Sequence, residues 1–208
     1  MLRRIATELK HHAPFTATGA ATGIIFMVII VFTNILPQVS QNSYTIFYIL
    51  HPTHVLLSAL VTTAMYRKYS DGRIWATLLI GYWGSVGIAT LSDSIIPYLG
   101  ETWLGLQSKG MHIGFIEEPL LTNPAAFLGI AIGYWKTTTK FPHAGHVLLS
   151  TWASLFHIIM ALGGTVSWVT LPAIFGFLFL AVWFPCCTSD IVFPLLFVRK
   201  KKLPPQPP

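Results

Sequence analysis

His51-Pro-Thr-His54-Val-Leu-Leu-Ser58 occurs a second time in this chain, as His143-Ala-Gly-His146-Val-Leu-Leu-Ser150. Downstream of each copy the chain reads Ser-Asp-x-x-x-Pro, first from Ser92-Asp93 and then from Ser189-Asp190. Chance similarity between apolar segments would repeat leucine and valine, whereas here histidine, serine and aspartate recur in the same order. The pattern therefore indicates an internal duplication, in which both halves carry the same polar groups within apolar sequence.

The composition is that of an integral membrane protein. The 208 residues are 53% hydrophobic and only 10% charged, with a mean hydropathy of +0.63, whereas soluble domains carry about 25% charged residues. The net charge of +6 comes from basic residues clustered at predicted membrane edges, which argues against nucleic acid as a partner. The adjacent Cys186 and Cys187 imply no disulfide framework, and we predict no removable signal peptide.

Six stretches are long enough to cross a bilayer, since a spanning helix needs about 20 apolar residues. They are approximately residues 15–36, 44–66, 74–99, 119–135, 143–163 and 168–198. Lysine and arginine are concentrated before the first stretch and after the second, fourth and sixth, so the positive-inside rule places both termini in the cytoplasm. We therefore predict an all-α, multi-pass protein of the inner or plasma membrane.

The duplication divides the chain into two three-helix repeats. Residues 1–100 form the first and 115–198 the second, with a linker at 101–114 and a basic, proline-rich cytoplasmic tail at 199–208. Because each repeat has an odd number of spans, the second is expected to be inverted across the membrane. Pro97 and Pro194 follow the two aspartates and predict broken third helices, since proline removes a helical N–H and frees a carbonyl. Inverted repeats with broken helices are typical of secondary transporters.

On this topology the polar residues form two clusters on opposite sides of the membrane. The outer cluster contains His51, His54, Asp93, Glu117 and Glu118. The cytoplasmic cluster contains His143, His146 and Asp190. Charged groups within the hydrocarbon cost about 2.5–3.5 kcal/mol each and face a partner, a cavity or an ion pathway. Imidazole and carboxylate groups together suit a divalent first-row cation such as zinc, manganese, iron, cobalt or nickel.

Structural alternatives exist for several of these groups. The two aspartates are also consistent with helix caps bonded to the adjacent serines, and Glu117-Glu118-Pro119 with an ordinary acidic helix start. His112 and His157 are each expected to be structural. The two cysteines are expected to serve packing, with soft ligands or acylation sites as the alternatives.

Three segments resemble a known family. They are His51–Met65, Met111–Pro119 and Pro185–Pro194, and they are similar to parts of a prokaryotic family of integral membrane proteins described as manganese or heavy-metal exporters. The resemblance covers most of residues 45–198. It implies a membrane metal exporter in which the matched histidine, glutamate and aspartate residues form the polar site.

The leading functional prediction is a secondary transporter that exports a divalent transition-metal cation. The ion would pass from the cytoplasmic cluster to the outer one as the halves rock, in exchange for protons. A membrane-embedded metal-dependent hydrolase is the alternative if both clusters meet at one site. A dihaem electron carrier with His54 and His146 as axial ligands, and a scaffold subunit, are further alternatives. The small-residue runs Thr16–Gly23 and Gly81–Gly87 are compatible with a homodimer.

Overall fold

The computed structural model is all-helical over the residues it describes, which are 2–70, 73–106, 108–136, 140–163, 166–187, 189 and 192–198. Within these ranges it describes side chains except at 2–12, 15, 140–144 and 187. The helices are α1 (Leu2–Phe32), α2 (Leu36–Tyr69), α3 (Ile74–Trp103), α4 (Gly114–Glu117), α5 (Pro119–Trp135), α6 (Lys140–Leu162), α7 (Thr170–Cys187) and α8 (Phe193–Leu196).

Three of these helices are long and apolar enough to cross a membrane. They are α2 with 34 residues, α3 with 30 residues, and the segment Gly145–Leu162 of α6. The first and sixth predicted spans correspond to shorter apolar helices, Thr16–Phe32 and Thr170–Cys186. The fourth corresponds to α5, whose 17 residues extend about 25 Å against a hydrocarbon core of about 30 Å. Three candidate spans thus support a membrane protein, and six spans stay a prediction.

Exposed tryptophans lie at both ends of α3. Trp75 and Trp103 are each 73% exposed, and their positions in the helix separate them by about 42 Å along its axis. This matches the thickness of a bilayer including its headgroups, about 40–45 Å. Tryptophan is enriched at membrane interfaces, where its N–H meets the headgroups and its apolar ring meets the acyl chains. The two side chains therefore support α3 as a membrane span.

The third helix is continuous, and this corrects the predicted break at Pro97. Instead of breaking, α3 contains two π-helical turns, Trp83–Gly87 and Leu91–Ile95, separated by Ile88–Thr90. A π-helical turn widens the helix by one residue and redirects the side chains on it. Pro97 lies in the first turn of the α-helical segment that follows, where a missing N–H is tolerated.

The predicted break in the second repeat lies partly outside the described residues. Helix α7 (Thr170–Cys187) continues through Pro185, and α8 (Phe193–Leu196) carries Pro194 in its first turn. Ser189 and Val192, between them, have π-helical backbone conformation. Both Ser-Asp segments therefore include a serine in a π-helical turn, which the sequence pattern alone does not predict.

Helices α2 and α6, which carry the repeated phrase, pack against each other at the centre of the molecule. Helix α5 packs on another side of α2, while α1 and α7 pack on α6. Gly129 and Gly133 make the α5 contact close, because a Cβ at either would overlap a backbone carbonyl of α2, that of Leu56 or Leu60. This is the close approach that small residues at four-residue spacing permit between membrane helices.

Candidate metal centre

The carboxylate of Asp93 is the centre of a fully buried polar cluster. Its Oδ2 accepts hydrogen bonds from Nδ1 of His51 at 2.9 Å and Nδ1 of His54 at 2.7 Å. Its Oδ1 accepts from the hydroxyls of Ser92 at 2.6 Å and Ser150 at 2.7 Å. An ionised carboxylate accepts and does not donate, so this environment supplies four donors to one anion. Such compensation is what a buried charge requires.

The π-helical turn Leu91–Ile95 sets the direction of Asp93 and leaves a neighbouring carbonyl to be satisfied from outside the helix. In a π-helical register the N–H five residues after Ser92 would bond its carbonyl, but that residue is Pro97. The hydroxyl of Ser154 on α6 donates to the Ser92 carbonyl instead, at 3.0 Å. The sequence predicts a carbonyl freed by this proline at Asp93, whereas the interhelical bond is found one residue earlier.

A second group of metal-type ligands shares His54. Its ring stacks on that of His146, with centroids 5.6 Å apart and planes at 10°. One ligand atom each of His54, His146 and the buried Cys186 lie within 4.8 Å of one another. Tetrahedral zinc with bonds of about 2.0–2.3 Å has ligand atoms about 3.3–3.8 Å apart, so a closure of about 1 Å would bring the three onto one ion.

Hydrogen bonding decides which nitrogen of His54 is suited to a metal. Because Nδ1 donates to Asp93, Nε2 is the nitrogen that does not face the carboxylate and keeps a lone pair in that tautomer. A carboxylate that accepts from one imidazole nitrogen while the other binds a metal is the usual way that proteins orient a histidine ligand. The trio of His51, His54 and Asp93 also has metal-ligand spacing, but a metal there would have to displace both Nδ1 protons.

The predicted separation of two clusters across the membrane is wrong for His146. The sequence places it toward the cytoplasm, apart from His54, whereas the structure stacks the two rings. The reason is that α2 and α6 pack along each other, so that the second histidine of each phrase reaches the same depth. The side chain of His143 and all of Asp190 lie outside the described residues.

Glu117 and Glu118 are not part of either group of ligands within the described portion of the chain. Glu117 accepts hydrogen bonds from the Tyr48 hydroxyl and from Nδ1 of His112, the latter at 3.1 Å, and Glu118 lies beside Tyr44. Partial burial raises the pKa of Glu117, but the bonds from Tyr48 and His112 outweigh it and hold the pKa below its ordinary value. The two glutamates therefore belong to a separate, half-exposed site.

One buried contact between a histidine and a glutamate is absent from the sequence-based prediction. Nδ1 of His157 lies 2.6 Å from Oε1 of Glu101, and both side chains are about 99% or more buried. His157 is expected to be structural, and Glu101 lies in the predicted linker. The sequence does contain a pattern that points to His157. Four polar residues lie on one face of α6 at spacings of four, four and three residues: His146, Ser150, Ser154 and His157.

The hydroxyls of the repeated phrase form a reciprocal pattern. In the second copy, Ser150 bonds Oγ of Ser92 at 3.3 Å, as well as Asp93. In the first copy, Ser58 bonds Oγ of Ser189 at 3.1 Å, and Thr62 donates to the Ser189 carbonyl at 3.4 Å. The bond from Thr62 to the Ser189 carbonyl is equivalent to the bond from Ser154 to the Ser92 carbonyl. Each phrase thus contacts the Ser-Asp segment of the other half.

Comparisons with models of known families, with curated proteins and with solved structures find no match to this chain. The chemistry of the site is therefore inferred from its own geometry. Its elements are imidazole, thiol and carboxylate groups, fully buried and contributed by four helices.

Proposed function

We propose that this chain is a secondary transporter of a divalent transition-metal cation, as the resemblance to metal exporters also suggests. His54, His146 and Cys186 would bind the ion, and Asp93 would orient His54. The observation that carries the proposal is a fully buried set of metal-type ligands. His54 and His146 lie in helices long and apolar enough to cross a membrane, and Cys186 lies in a shorter apolar helix. Polar groups at such a depth are expensive and are typical of ion pathways.

The ligand set narrows the choice of ion. Thiolate and imidazole ligands suit zinc, cobalt, nickel and iron, whereas manganese prefers oxygen ligands. If Cys186 contributes its sulfur, zinc is the best-suited of the five predicted metals, since tetrahedral sites with nitrogen and sulfur ligands are its commonest environment. We therefore propose zinc, or an ion with the same ligand preferences. Manganese, which the resembling family is described as exporting, is less well suited to these ligands.

Burial favours transport of an ion over hydrolysis of an organic substrate. A drug-sized ligand needs a cleft of about 300–1,000 Å³ beside the reactive groups, while His51, His54, Asp93 and His146 have at most 1% of their surface exposed. A bare ion needs only its ligand shell. The hydrolase alternative retains one favourable observation, because His54 and His146 meet at one site instead of two.

We also propose that the two halves are inverted repeats, and that both termini face the cytoplasm. The reciprocal bonds of Ser58 and Thr62 with Ser189, and of Ser150 and Ser154 with Ser92, support this. Two halves related by an axis in the membrane plane would exchange contacts in this way. Rocking of one half against the other would then break and remake hydroxyl bonds at low cost, because each hydroxyl can rotate to a new acceptor.

The test is metal flux in liposomes that contain the reconstituted full chain and an entrapped Zn²⁺-sensitive dye. We expect Zn²⁺ entry with the native protein and none with the His54→Ala, His146→Ala double variant. The matched control is Thr53→Val, Leu148→Ala, which changes exposed positions of the same two helices. Flux that is equal in the double variant and the native protein would refute the assignment.

Binding of Co²⁺ gives a second measurement that does not require transport. Cobalt bound through sulfur has a thiolate charge-transfer absorption, and we expect this band to disappear in Cys186→Ser while weaker binding through the histidines remains. A band that persists in Cys186→Ser would exclude the sulfur of this residue as a ligand. Metal-dependent hydrolysis of ester substrates without any flux would favour the enzyme alternative.

A further inference from the structure

The buried pair of Glu101 and His157 lies outside the proposed metal site and has unused hydrogen-bonding capacity. Nδ1 of His157 and Oε1 of Glu101 share one short contact of 2.6 Å. The other carboxylate oxygen of Glu101 and the other ring nitrogen of His157 are both buried without a hydrogen-bond partner. Two such atoms in one pair call for an explanation, because buried polar atoms are nearly always satisfied.

Either atom can accept a proton. With one proton between Nδ1 and Oε1, the pair carries a net charge of −1, and Nε2 of His157 keeps a lone pair. A second proton taken from water and bound at Nε2, or at the free oxygen of Glu101, makes the pair neutral. The pair can therefore load and release one proton without breaking its own hydrogen bond. Because the proton comes from water, no neighbouring residue has to donate it.

The neighbours of the pair connect it to one side of the protein. The ring of His112 contacts the edge of His157, with centroids 5.4 Å apart, and the side chain of His112 is 25% exposed and bonded to Glu117. Among the described residues, His112 is a titratable group that faces the pair from the segment between α3 and α4, and Tyr48 bonds the same glutamate as His112, Glu117. Solvent that reaches the exposed part of His112 is therefore separated from His157 by the His112 side chain.

A single aromatic ring connects the pair to the metal-type cluster. Phe47 lies between His157, at 5.5 Å, and His51, on which it stacks at 5.2 Å with planes 11° apart. Charges separated by one apolar ring in a buried site interact much more strongly than in water. A proton gained or lost at His157 therefore alters the field at the cluster that holds Asp93.

We infer that Glu101 and His157 form a proton-binding site, separate from the metal ligands, that exchanges with water on the side of His112. Its role as the coupling-ion site of a metal–proton exchanger rests on the proposed function. A proton bound here neutralises the pair, and a cation bound at the ligand group favours release of that proton, because the two positive charges repel each other.

Infrared difference spectra between two pH values test the proton site without any transport. In the full chain reconstituted in liposomes, we expect carboxyl or imidazole bands that titrate and that are absent in both Glu101→Gln and His157→Gln. Thr102→Val is the matched control, since this exposed neighbour bonds only the carbonyl of Tyr98 in its own helix. Bands that are the same in native protein and in both variants would overturn the inference.

Zinc flux and binding test the coupling role. We expect Glu101→Gln and His157→Gln to bind Zn²⁺ within about 2-fold of the native protein, yet to lose the stimulation of flux by an imposed pH gradient. Glu101→Asp keeps a carboxylate and should keep part of that stimulation. This variant also tests the coupling role if the glutamine variants fail to fold. Full stimulation in Glu101→Gln would overturn the coupling role. Absence of Zn²⁺ binding in the native protein, with titrating bands present, would instead refute the metal proposal alone.

Discussion

At the scale of single residues, Asp93 acts on the proposed metal site through His54. The carboxylate fixes the tautomer and the direction of the imidazole, so its loss should weaken metal binding although its own oxygens contact only hydrogen-bond donors. We expect Asp93→Asn to lower Zn²⁺ affinity about 10- to 100-fold, measured by equilibrium dialysis. Ser94→Ala is the control, because this buried hydroxyl of the same π-helical turn has no partner. Equal affinity in native protein and Asp93→Asn would contradict the orienting role.

Glu117 gives a prediction about pH. Its pKa in the folded protein lies below the ordinary value of 4.5, so its contribution to stability is present above pH 4.5 and is lost as the pH falls through the folded pKa. Tyr48→Phe removes one of the donors that lower this pKa. We therefore expect the loss of thermal stability in Tyr48→Phe to be largest near neutral pH and to shrink below pH 4.5. A difference in melting temperature that does not change with pH would show that Tyr48 stabilises the fold in another way.

At the scale of helices, the contact between α2 and α5 depends on glycine. A Cβ at Gly129 would overlap the carbonyl oxygen of Leu56 and lie 2.9 Å from Cβ of Ala59. We expect Gly129→Ala to reduce the free energy of unfolding by about 1–3 kcal/mol, since backbone has to move to admit the methyl group. Thermal unfolding in detergent measures this.

Gly176 on α7 is the matched control for that substitution. A Cβ there would meet nothing within 4 Å, and alanine is a better helix former than glycine by about 0.8–1.0 kcal/mol. Gly176→Ala should therefore leave stability unchanged or raise it. Equal destabilisation by both substitutions would mean that the α2–α5 contact is not the cause.

At the scale of the whole molecule, the predicted topology can be measured directly. If both termini face the cytoplasm, the segment around Lys109 lies outside the cell. A membrane-impermeant maleimide should then label Lys109→Cys in intact cells, while tags at either end of the chain stay inaccessible until the membrane is opened. The native chain, which has its own cysteines, is the control for background labelling. Access to an end tag in intact cells would contradict the six-span, inverted arrangement.

Apolar length was enough to predict α2, α3 and the described part of α6, because hydropathy reports burial in lipid directly. The π-helical turns of α3 were not predictable in this way, since Leu91–Ile95 has no periodicity of its own and proline at position 97 fits a break equally well. The contact of His54 with His146 was missed because depth along a helix depends on packing partners. Glu101 was missed because it lies just beyond the third predicted apolar stretch, residues 74–99.

The bond between Ser150 and Asp93 joins residues 57 positions apart, and this has a consequence for synthesis. At about 5–20 residues per second, the serine leaves the ribosome roughly 3–11 s after the aspartate. During that interval the carboxylate has only earlier-made donors, His51, His54 and Ser92. The first histidine pair is therefore needed before the protein is finished, as the partner that lets an acidic helix enter the bilayer ahead of its second half.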